Sequence, residues 1–232
     1  MISGIQRRLF HAAAELLKKT PAEQRWLSRQ LQDPFVKAAQ QQNYRCRSAF
    51  KLLEIDEKHG ILQKGLNVLD CGAAPGAWSQ VAVNRVNATS SDLKAPVGSV
   101  VGVDLLHIPL LDGALFLSHC DLLEPKDQAR ILEALPGGEA QIILSDAAPN
   151  ASGIRELDQQ QFVDLFLCIL GLAGRVLCPN GTLLCKFWDG ANTGLLQKRL
   201  TKLFGEVKIL KPSASRKESS EIYFLAKRFI RG

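Results

Sequence analysis

The chain has 232 residues, 46% of them hydrophobic, which is enough to bury the core of one large domain. Its most apolar segment, residues 162–177, is interrupted by Asp164 and Arg175, and no run reaches the roughly 18 apolar residues of a membrane-spanning helix. The formal net charge of +6 allows a polyanionic partner such as nucleic acid without requiring one.

The first 20 residues predict a basic amphipathic helix. They carry four Lys or Arg residues against the single acid Glu15, and apolar side chains recur on one face. This pattern is typical of a mitochondrial presequence, so we expect a presequence at 1–20 and a protein of the mitochondrial matrix. An ordinary surface helix or a basic RNA-binding arm is the alternative. Residues 21–43 are polar and glutamine-rich, which predicts a linker or a surface helix.

From Tyr44 onward, helical and strand patterns alternate. Residues 44–62 predict a helix that places Lys51 on the face of Tyr44 and turns Phe50 and Leu53 inward. Strands are predicted at 67–72, 99–104, 114–121, 140–146, 181–188, 206–210 and 221–229, and later helices after Gly76 and at 125–135, 158–177 and 191–204. The polar segment 87–96 is expected to be a surface insertion.

This alternation predicts an α/β fold, Rossmann-like, with a seven-stranded and mostly parallel sheet covered by helices on both faces. The connection between the last two strands is short and has no helix, which predicts that they pair antiparallel. Residues 44–232 are therefore expected to form one domain.

Acidic residues stand at the predicted ends of four strands: Asp70, Asp104, Asp121 and Asp146. In a doubly wound sheet the ligand lies at these ends. The turn "GAAPG" after the first strand lacks the G-x-G-x-x-G spacing of a dinucleotide site, and a ring of carboxylates would repel a pyrophosphate. S-adenosylmethionine, with a cationic centre and several donors, suits the acids better: Asp104 would accept its ribose hydroxyls and Asp121 its adenine amino group. For any single acid, a helix N-cap is the alternative.

The six cysteines form no C-x-x-C pair and lie mostly in apolar segments. They are expected to be reduced core residues rather than zinc ligands, and no metal site is predicted.

Five segments resemble the FtsJ/RrmJ family of ribosomal RNA 2'-O-ribose methyltransferases: YRCRSAFKL, DCGAAPGAWSQ, SDAAPN, CKFW and SRKESSEIYFLA. They follow the family order between Tyr44 and Phe229, and the flanking LQDPFVKAA is most similar to mitochondrial members. The resemblance implies S-adenosylmethionine-dependent methylation of a uridine in the peptidyl-transferase region (A-loop) of the mitochondrial large-subunit rRNA, by a monomer acting on the large-subunit precursor during its assembly. A non-catalytic assembly factor that binds RNA, or a 2'-O-methyltransferase of another RNA such as tRNA, is the alternative.

The resemblance also implies a catalytic tetrad of Lys51, Asp146, Lys186 and Glu221. Glu218 is a rival for the last position, but Ile222-Tyr223 follows Glu221 as the family pattern requires. Lys186 is expected nearest the 2'-hydroxyl, either as its base or as a cation that stabilises the alkoxide. Asp146 would orient Lys186, while Lys51 and Glu221 would position the ribose.

Two further groups of site residues are expected. The cofactor would contact Gly72, Pro75, Gly76, Ala77, Trp78, Asp104, Asp121, Leu122 and Asp146. For Trp78, packing between helix and sheet is the alternative. RNA phosphates would meet Arg45, Arg47, Lys211, Arg216 and Lys217, which supply affinity without reading bases. Arg85 and Lys94 are expected to be ordinary surface charges.

Overall fold

The computed structural model describes residues 32–150 and 152–230, so the predicted presequence lies outside the described residues. Its helices are α1 (Pro34–Gln41), α2 (Ala49–His59), α3 (Ala77–Val86), α4 (Pro125–Ala134), α5 (Arg155–Val176) and α6 (Thr193–Leu200). Its strands are β1 (Asn67–Cys71), β2 (Ser99–Asp104), β3 (Ala114–Ser118), β4 (Ala140–Ser145), β5 (Leu177–Trp188), β6 (Phe204–Leu210) and β7 (Glu221–Phe229). Among these helices, none has the length and apolar character needed to cross a membrane.

The strands form one sheet in the order β3-β2-β1-β4-β5-β7-β6. β7 runs antiparallel to both β5 and β6, and the other neighbouring pairs are parallel. This confirms the predicted seven-stranded, mostly parallel sheet. Because the chain leaves β1 toward β2 on one side and returns to β4 on the other, a crevice opens at the carboxyl ends of β1 and β4, where such folds bind their ligands.

β5 begins four residues earlier than predicted, at Leu177 rather than at residue 181. The sequence Pro179-Asn180-Gly181 has the composition of a turn, which made the segment look like a loop. In the structure it forms an irregularity within the strand: Leu177 pairs with Ala140, whereas the next pair joins Thr182 to Ile142.

The apolar core has two layers, one on each face of the sheet. One layer packs α4, α5 and α6 against the strands, and the other packs α2 and α3. In the first layer, the Phe166 ring of α5 lies 5.7 Å from Phe187 of β5 and 5.5 Å from Phe224 of β7. Both strands of the antiparallel β5–β7 pair therefore pack against the same helix through aromatic contacts.

α2 is shorter than predicted, and one of its two predicted inward residues packs elsewhere. Residues 44–48 precede the helix, which starts at Ala49. Leu52 and Ile55 are fully buried on α2, and the predicted Leu53 is partly buried against the same core layer. The Phe50 ring instead packs 5.7 Å from Phe35 of α1, a contact that local periodicity could not reveal. The buried face also carries Lys51, only 7% exposed.

Part of the predicted linker is helical and packs on the domain. α1 occupies residues 34–41, and the Asp33 carboxylate caps it by accepting a hydrogen bond from Phe35 N at 3.0 Å. Asp33 also forms an ion pair with Arg47, at 3.1 Å from Nε. Of the two alternatives for this stretch, the structure shows a surface helix fixed to the body of the protein.

The predicted surface insertion at 87–96 is tied together by Asn87, which is itself only 2% exposed. Its amide nitrogen donates to the carbonyl oxygens of Asp92, Ala95 and Pro96, and its oxygen accepts from Asp92 N. One buried amide therefore pairs with four backbone groups of the loop and holds its two ends together.

Candidate active site

A cavity of about 600 Å³ lies at the carboxyl ends of the parallel strands. It falls within the volume range of natural small-molecule sites. Five of the predicted cofactor residues line it: Gly72, Asp104, Asp121, Leu122 and Asp146. The predicted strand-end residues therefore surround one cavity, and its occupation by the cofactor stays a prediction.

The close approach of two loops forms the floor of the cavity, and Gly72 permits it. Gly72 has φ +76°, and a Cβ atom at this position would lie 2.5 Å from Cβ of Ala147, in the loop after β4. The Gly72 and Ala73 amides donate to the Val103 carbonyl of β2. Only glycine satisfies both the positive φ and the contact, so this position brings the β1 and β4 loops together.

Asp104 and Asp121 shape the wall around the cavity through backbone amides. Asp104 accepts from Ala74 N at 2.9 Å and from Leu106 N at 2.8 Å, and Asp121 accepts from Leu123 N at 2.9 Å. Carboxylate oxygens have further lone pairs, so both acids remain able to accept ligand hydroxyl or amino groups. Their predicted roles toward ribose and adenine stay predictions.

Apolar side chains at the rim of the cavity are suited to a flat ring. Leu105, Leu106 and Leu123 line it and are otherwise 58–67% exposed. Gln161 of α5 lines it as well, and its Oε1 is buried without a hydrogen-bond partner among the described residues. An apolar rim with unused acceptors fits the adenine, hydroxyl and amino groups of S-adenosylmethionine.

Four other predicted cofactor residues do not line the cavity: Pro75, Gly76, Ala77 and Trp78. Trp78 is 2% exposed, donates from Nε1 to the Ser48 carbonyl at 2.9 Å and packs 5.7 Å from the Tyr223 ring. The alternative interpretation, packing between helix and sheet, accounts for this side chain.

Asp70 does not belong to the ring of strand-end acids in which sequence analysis placed it. It lies inside β1, is fully buried and accepts a hydrogen bond from Ser79 Oγ at 2.6 Å. Its other oxygen has no partner among the described residues. Burial raises the pKa of Asp70 to about 7, against the Ser79 hydrogen bond, and the charges of Asp146 and Asp104 add to the increase.

The predicted tetrad converges on Asp146, next to the cavity. Lys186 Nζ donates to the Asp146 carbonyl oxygen at 2.6 Å and lies 3.2 Å from its Oδ1. Lys51 Nζ lies 3.6 Å from the same Oδ1 and 2.8 Å from both oxygens of Glu221. Two ammonium groups thus face two carboxylates, and their formal charges cancel. α2, the β4 loop, β5 and β7 each contribute one side chain.

Tyr223 is a fifth member of the cluster, and sequence analysis did not assign it a role. Its hydroxyl donates to Asp146 Oδ1 at 2.6 Å and accepts from Lys51 Nζ at 3.1 Å. A detectable signal was present, since residues two apart on a strand share a face and Glu221 had been predicted to be catalytic. Ser215, also unassigned, donates to Glu221 at 2.7 Å and orients that carboxylate.

The electrostatics of the cluster favour an ionised Asp146 beside a neutral Tyr223. Burial opposes ionisation of Asp146, but the charges of Lys186 and Lys51 and the Tyr223 hydrogen bond hold its pKa below the usual value. Burial raises the pKa of Tyr223 well above the ordinary phenol value, and the charges of Asp146 and Glu221 raise it further. Tyr223 therefore acts as a hydrogen-bond bridge between Lys51 and Asp146.

The five basic residues predicted to meet RNA do not form one group. Arg47 and Arg216 lie 3.1 Å and 3.7 Å from the Asp33 carboxylate, and Arg47 also donates to the Ala214 carbonyl. Lys211 and Lys217 are exposed in the loop before β7. Arg45 lies apart, because its guanidinium is bound to backbone carbonyls around the cofactor loop. Arg85, which was predicted to be an ordinary surface charge, forms an ion pair with Asp56 at 3.2 Å, outside this group of residues.

The sheet order, the acid-lined cavity and the adjoining cluster of lysines and carboxylates define a Rossmann-like methyltransferase that uses S-adenosyl-L-methionine. The family model for FtsJ-like methyltransferase matches residues 44–229. The chain belongs to this family, as the sequence resemblance predicted.

Relatives support the assignment over nearly the whole chain. The chain is 44% identical over 211 residues to rRNA methyltransferase 2, mitochondrial, of Drosophila melanogaster, covering 91% of this chain and 84% of that protein. It is 44% identical over 201 residues to ribosomal RNA large subunit methyltransferase E of Rhodopseudomonas palustris, covering 87% and 83%.

Two solved structures share the fold. One, described as a ribosomal RNA methyltransferase of Plasmodium falciparum, superposes with a TM-score of 0.71 at 27% identity, covering 82% of this chain and 100% of that one. A fibrillarin/Nop5p complex matches with a TM-score of 0.50 at 16% identity over 77% of this chain and 81% of the other, which shows similarity of fold alone.

Proposed function

We propose that this protein methylates a ribose 2'-hydroxyl in large-subunit ribosomal RNA, on a uridine of the peptidyl-transferase region (A-loop) of the mitochondrial ribosome. The observation that carries the proposal is the cluster around Asp146. Asp146 itself lines the cofactor cavity and also contacts Lys186. The names of the relatives from Drosophila and Rhodopseudomonas, both ribosomal RNA methyltransferases, support the substrate class.

A ribose hydroxyl is a weak nucleophile and develops negative charge on its oxygen as it attacks. Lys186 Nζ is directed by the Asp146 carbonyl and carboxylate and has a third N–H to offer. Because the Lys186 ammonium donates to these two acceptors, we favour a role for it as a cation. In this role Lys186 holds the 2'-oxygen and stabilises the negative charge that develops there. The hydroxyl proton then leaves to solvent. Of the two roles left open for Lys186, these contacts favour the cation over the base.

The remaining cluster residues keep that geometry fixed. Lys51 is held by Glu221 and Tyr223 and neutralises the far side of Asp146, so Asp146 stays ionised and Lys186 stays oriented. Gly72, Asp104, Asp121 and Gln161 would hold S-adenosylmethionine, which supplies a methyl group on a positively charged sulfur. With both reactants aligned, little more than positioning is required.

The test is methyl transfer to defined RNA. Purified protein is incubated with labelled S-adenosylmethionine and large-subunit rRNA or its precursor particle, and 2'-O-methyl positions are mapped. We expect one modified uridine and no transfer to an RNA carrying a 2'-deoxynucleotide at that position. Transfer that persists on the deoxy substrate would show that a base atom is methylated.

Lys186→Met separates catalysis from RNA binding. The variant removes the ammonium but keeps most of the unbranched stem, so we expect methyl transfer to fall by about 10²–10³-fold with cofactor and RNA binding retained. Lys94→Met, on the exposed insertion, is the matched control. Undiminished transfer by Lys186→Met would contradict the proposed mechanism, and RNA binding without any transfer by the unaltered protein would indicate an assembly factor.

We propose further that residues 1–20 direct the protein to the mitochondrial matrix. The basic amphipathic pattern of this segment and the mitochondrial relative from Drosophila support this. A fusion of residues 1–20 to a fluorescent protein should enter mitochondria, and a fusion with Arg7, Arg8, Lys18 and Lys19 changed to Gln should not. Equal import of both fusions would contradict the proposal.

A further inference from the structure

One arginine joins two segments that lie beside the predicted cofactor cavity. The Arg45 guanidinium donates to the carbonyl oxygens of Pro75 at 2.9 Å, Pro109 at 2.8 Å and Leu110 at 2.6 Å. Pro75 belongs to the β1–α3 loop, whereas Pro109 and Leu110 belong to the β2–β3 connection. A single planar group therefore ties together two separate segments of the chain.

We propose that Arg45 is a positioning residue for the methyl donor, which sets the affinity for S-adenosylmethionine by holding these two segments in register, and that it does not bind RNA phosphate. The proposal concerns the cofactor half of the active site. It does not depend on which RNA receives the methyl group.

The two segments carry the side chains and amides that shape the cavity. Ala74, next to Pro75, lines the cavity and donates its amide to Asp104 Oδ2 at 2.9 Å. Leu106, in the β2–β3 connection, lines it too and donates its amide to Asp104 Oδ1 at 2.8 Å. Asp104 ties the segments together inside the cavity and Arg45 ties them outside it. Loss of the outer tie would leave the Asp104 carboxylate, a predicted ribose acceptor, on a less ordered support.

Arg45 is itself held in place before any ligand arrives. Its backbone amide donates to Gln80 Oε1 at 2.8 Å, and Gln80 donates to the Asn43 carbonyl at 3.0 Å. The guanidinium also lies 5.9 Å from the centre of the Phe116 ring. A Cβ atom on Gly76 would collide with the guanidinium, so the glycine leaves the space that Arg45 occupies.

The contacts of Arg45 differ from those of the nearby Arg47. Arg47 pairs with the carboxylate of Asp33, an anion that a phosphate could replace. Arg45 has no carboxylate within ion-pair distance among the described residues, and three of its five N–H groups donate to neutral carbonyls. A phosphate that took over these three N–H groups would release both segments. A planar guanidinium fork suits three diverging carbonyls, and a lysine ammonium matches them less well.

The proposal is tested by cofactor binding to the full-length protein without RNA. Arg45→Gln should raise the calorimetric Kd for S-adenosylmethionine by about tenfold or more, and Arg45→Lys should restore part of the affinity. In steady-state assays the KM for the methyl donor should rise, while kcat at saturating methyl donor and the KM for RNA stay unchanged. Arg199→Gln, an exposed arginine on α6, is the matched control.

An unchanged Kd for S-adenosylmethionine together with a raised KM for RNA would overturn the proposal and return Arg45 to the RNA surface. Near-UV circular dichroism distinguishes loss of fold from loss of binding. Arg45→Lys keeps the charge, so it carries the test if Arg45→Gln does not fold. If neither variant showed a native spectrum, Arg45 would be required for folding rather than for cofactor affinity, which also contradicts the proposal.

Discussion

Lys51 Nζ lies 2.8 Å from both carboxylate oxygens of Glu221, although 170 positions separate the two residues in the chain. Their side chains are only 9% and 12% exposed. The pair joins α2 to the start of β7 in the middle of the site. Because both charges are largely buried, removing one partner costs more than the intact pair contributes.

Lys51→Met should therefore destabilise the protein more than Glu221→Gln does. Without Lys51, Glu221 and Asp146 both lose a counter-charge, whereas without the Glu221 charge Lys51 still has Asp146 at 3.6 Å. We expect a loss of about 3 kcal/mol for Lys51→Met, measured by urea unfolding. The double variant should lose less than the sum of the single losses, and strict additivity would show that the two side chains do not stabilise one another.

Asp70 makes the stability of the protein depend on pH. Its pKa is about 7 in the folded protein and near 3.8 when exposed, so between these values the folded state binds more protons than the unfolded state. The contribution of Asp70 to stability is complete below about pH 4, is lost as pH rises toward 7 and is constant above that.

The variant Asp70→Asn should flatten this dependence. We expect the free energy of unfolding to fall less steeply between pH 5 and 7 in Asp70→Asn than in the unaltered protein. Urea unfolding at several pH values gives the two slopes, and comparing slopes removes any constant cost of the new amide. Equal slopes would mean that Asp70 is ionised in the folded protein throughout this range.

Two glycines should respond in opposite directions to replacement by alanine. Gly72→Ala forces a side chain onto φ +76° and against Ala147, so we expect a loss of about 2 kcal/mol and weaker S-adenosylmethionine binding. Gly171, in α5, has open space around its Cβ position, and Gly171→Ala should stabilise by about 0.5–1 kcal/mol without changing cofactor affinity. Thermal unfolding and calorimetry check both. Normal cofactor binding by Gly72→Ala would show that the loops tolerate separation.

The loop before β7 should supply affinity for RNA that depends on salt. Lys217 is exposed there. Lys211, at the start of the loop, donates to the carbonyl of Ser219, at its end, over 2.8 Å. Lys217→Ala should weaken RNA binding at all sequences and lower the slope of log K against log salt by about 0.7–0.9. Lys94→Ala is the control, and an unchanged slope for Lys217→Ala would place the RNA elsewhere.

The fold could be predicted from the sequence because its strands are short apolar runs at regular spacing, separated by helices. β2 and β7 have the predicted bounds, and the antiparallel end of the sheet is confirmed. β5 was predicted too short because Pro179 to Gly181 have turn composition inside a strand. On α2, Leu53 packs against the core as predicted, but Phe50 does not, because it contacts Phe35 of α1 instead.

The candidate site, like the fold, could be predicted only in part from the sequence. The tetrad residues could be named because their motifs carry them, and the strand ends predicted the cavity because parallel strands all point to one edge. Asp70 was wrongly predicted to face the ligand, since an acid near a strand end can face the interior instead. The bridging role of Tyr223 and the carbonyl contacts of Arg45 depend on tertiary geometry, which no spacing in the sequence specifies.

The last strand of the chain lies inside the sheet, between β5 and β6, and places Tyr223 opposite Lys186. Among the described residues, those that line the predicted cofactor cavity lie between 72 and 165, which leave the ribosome earlier. During synthesis, the segments expected to hold the methyl donor are therefore made first, and those that complete the lysine cluster are made last. A chain that stops before residue 221 carries each of these cavity residues but neither Glu221 nor Tyr223, so we expect methyl transfer only from chains that reach their final strand.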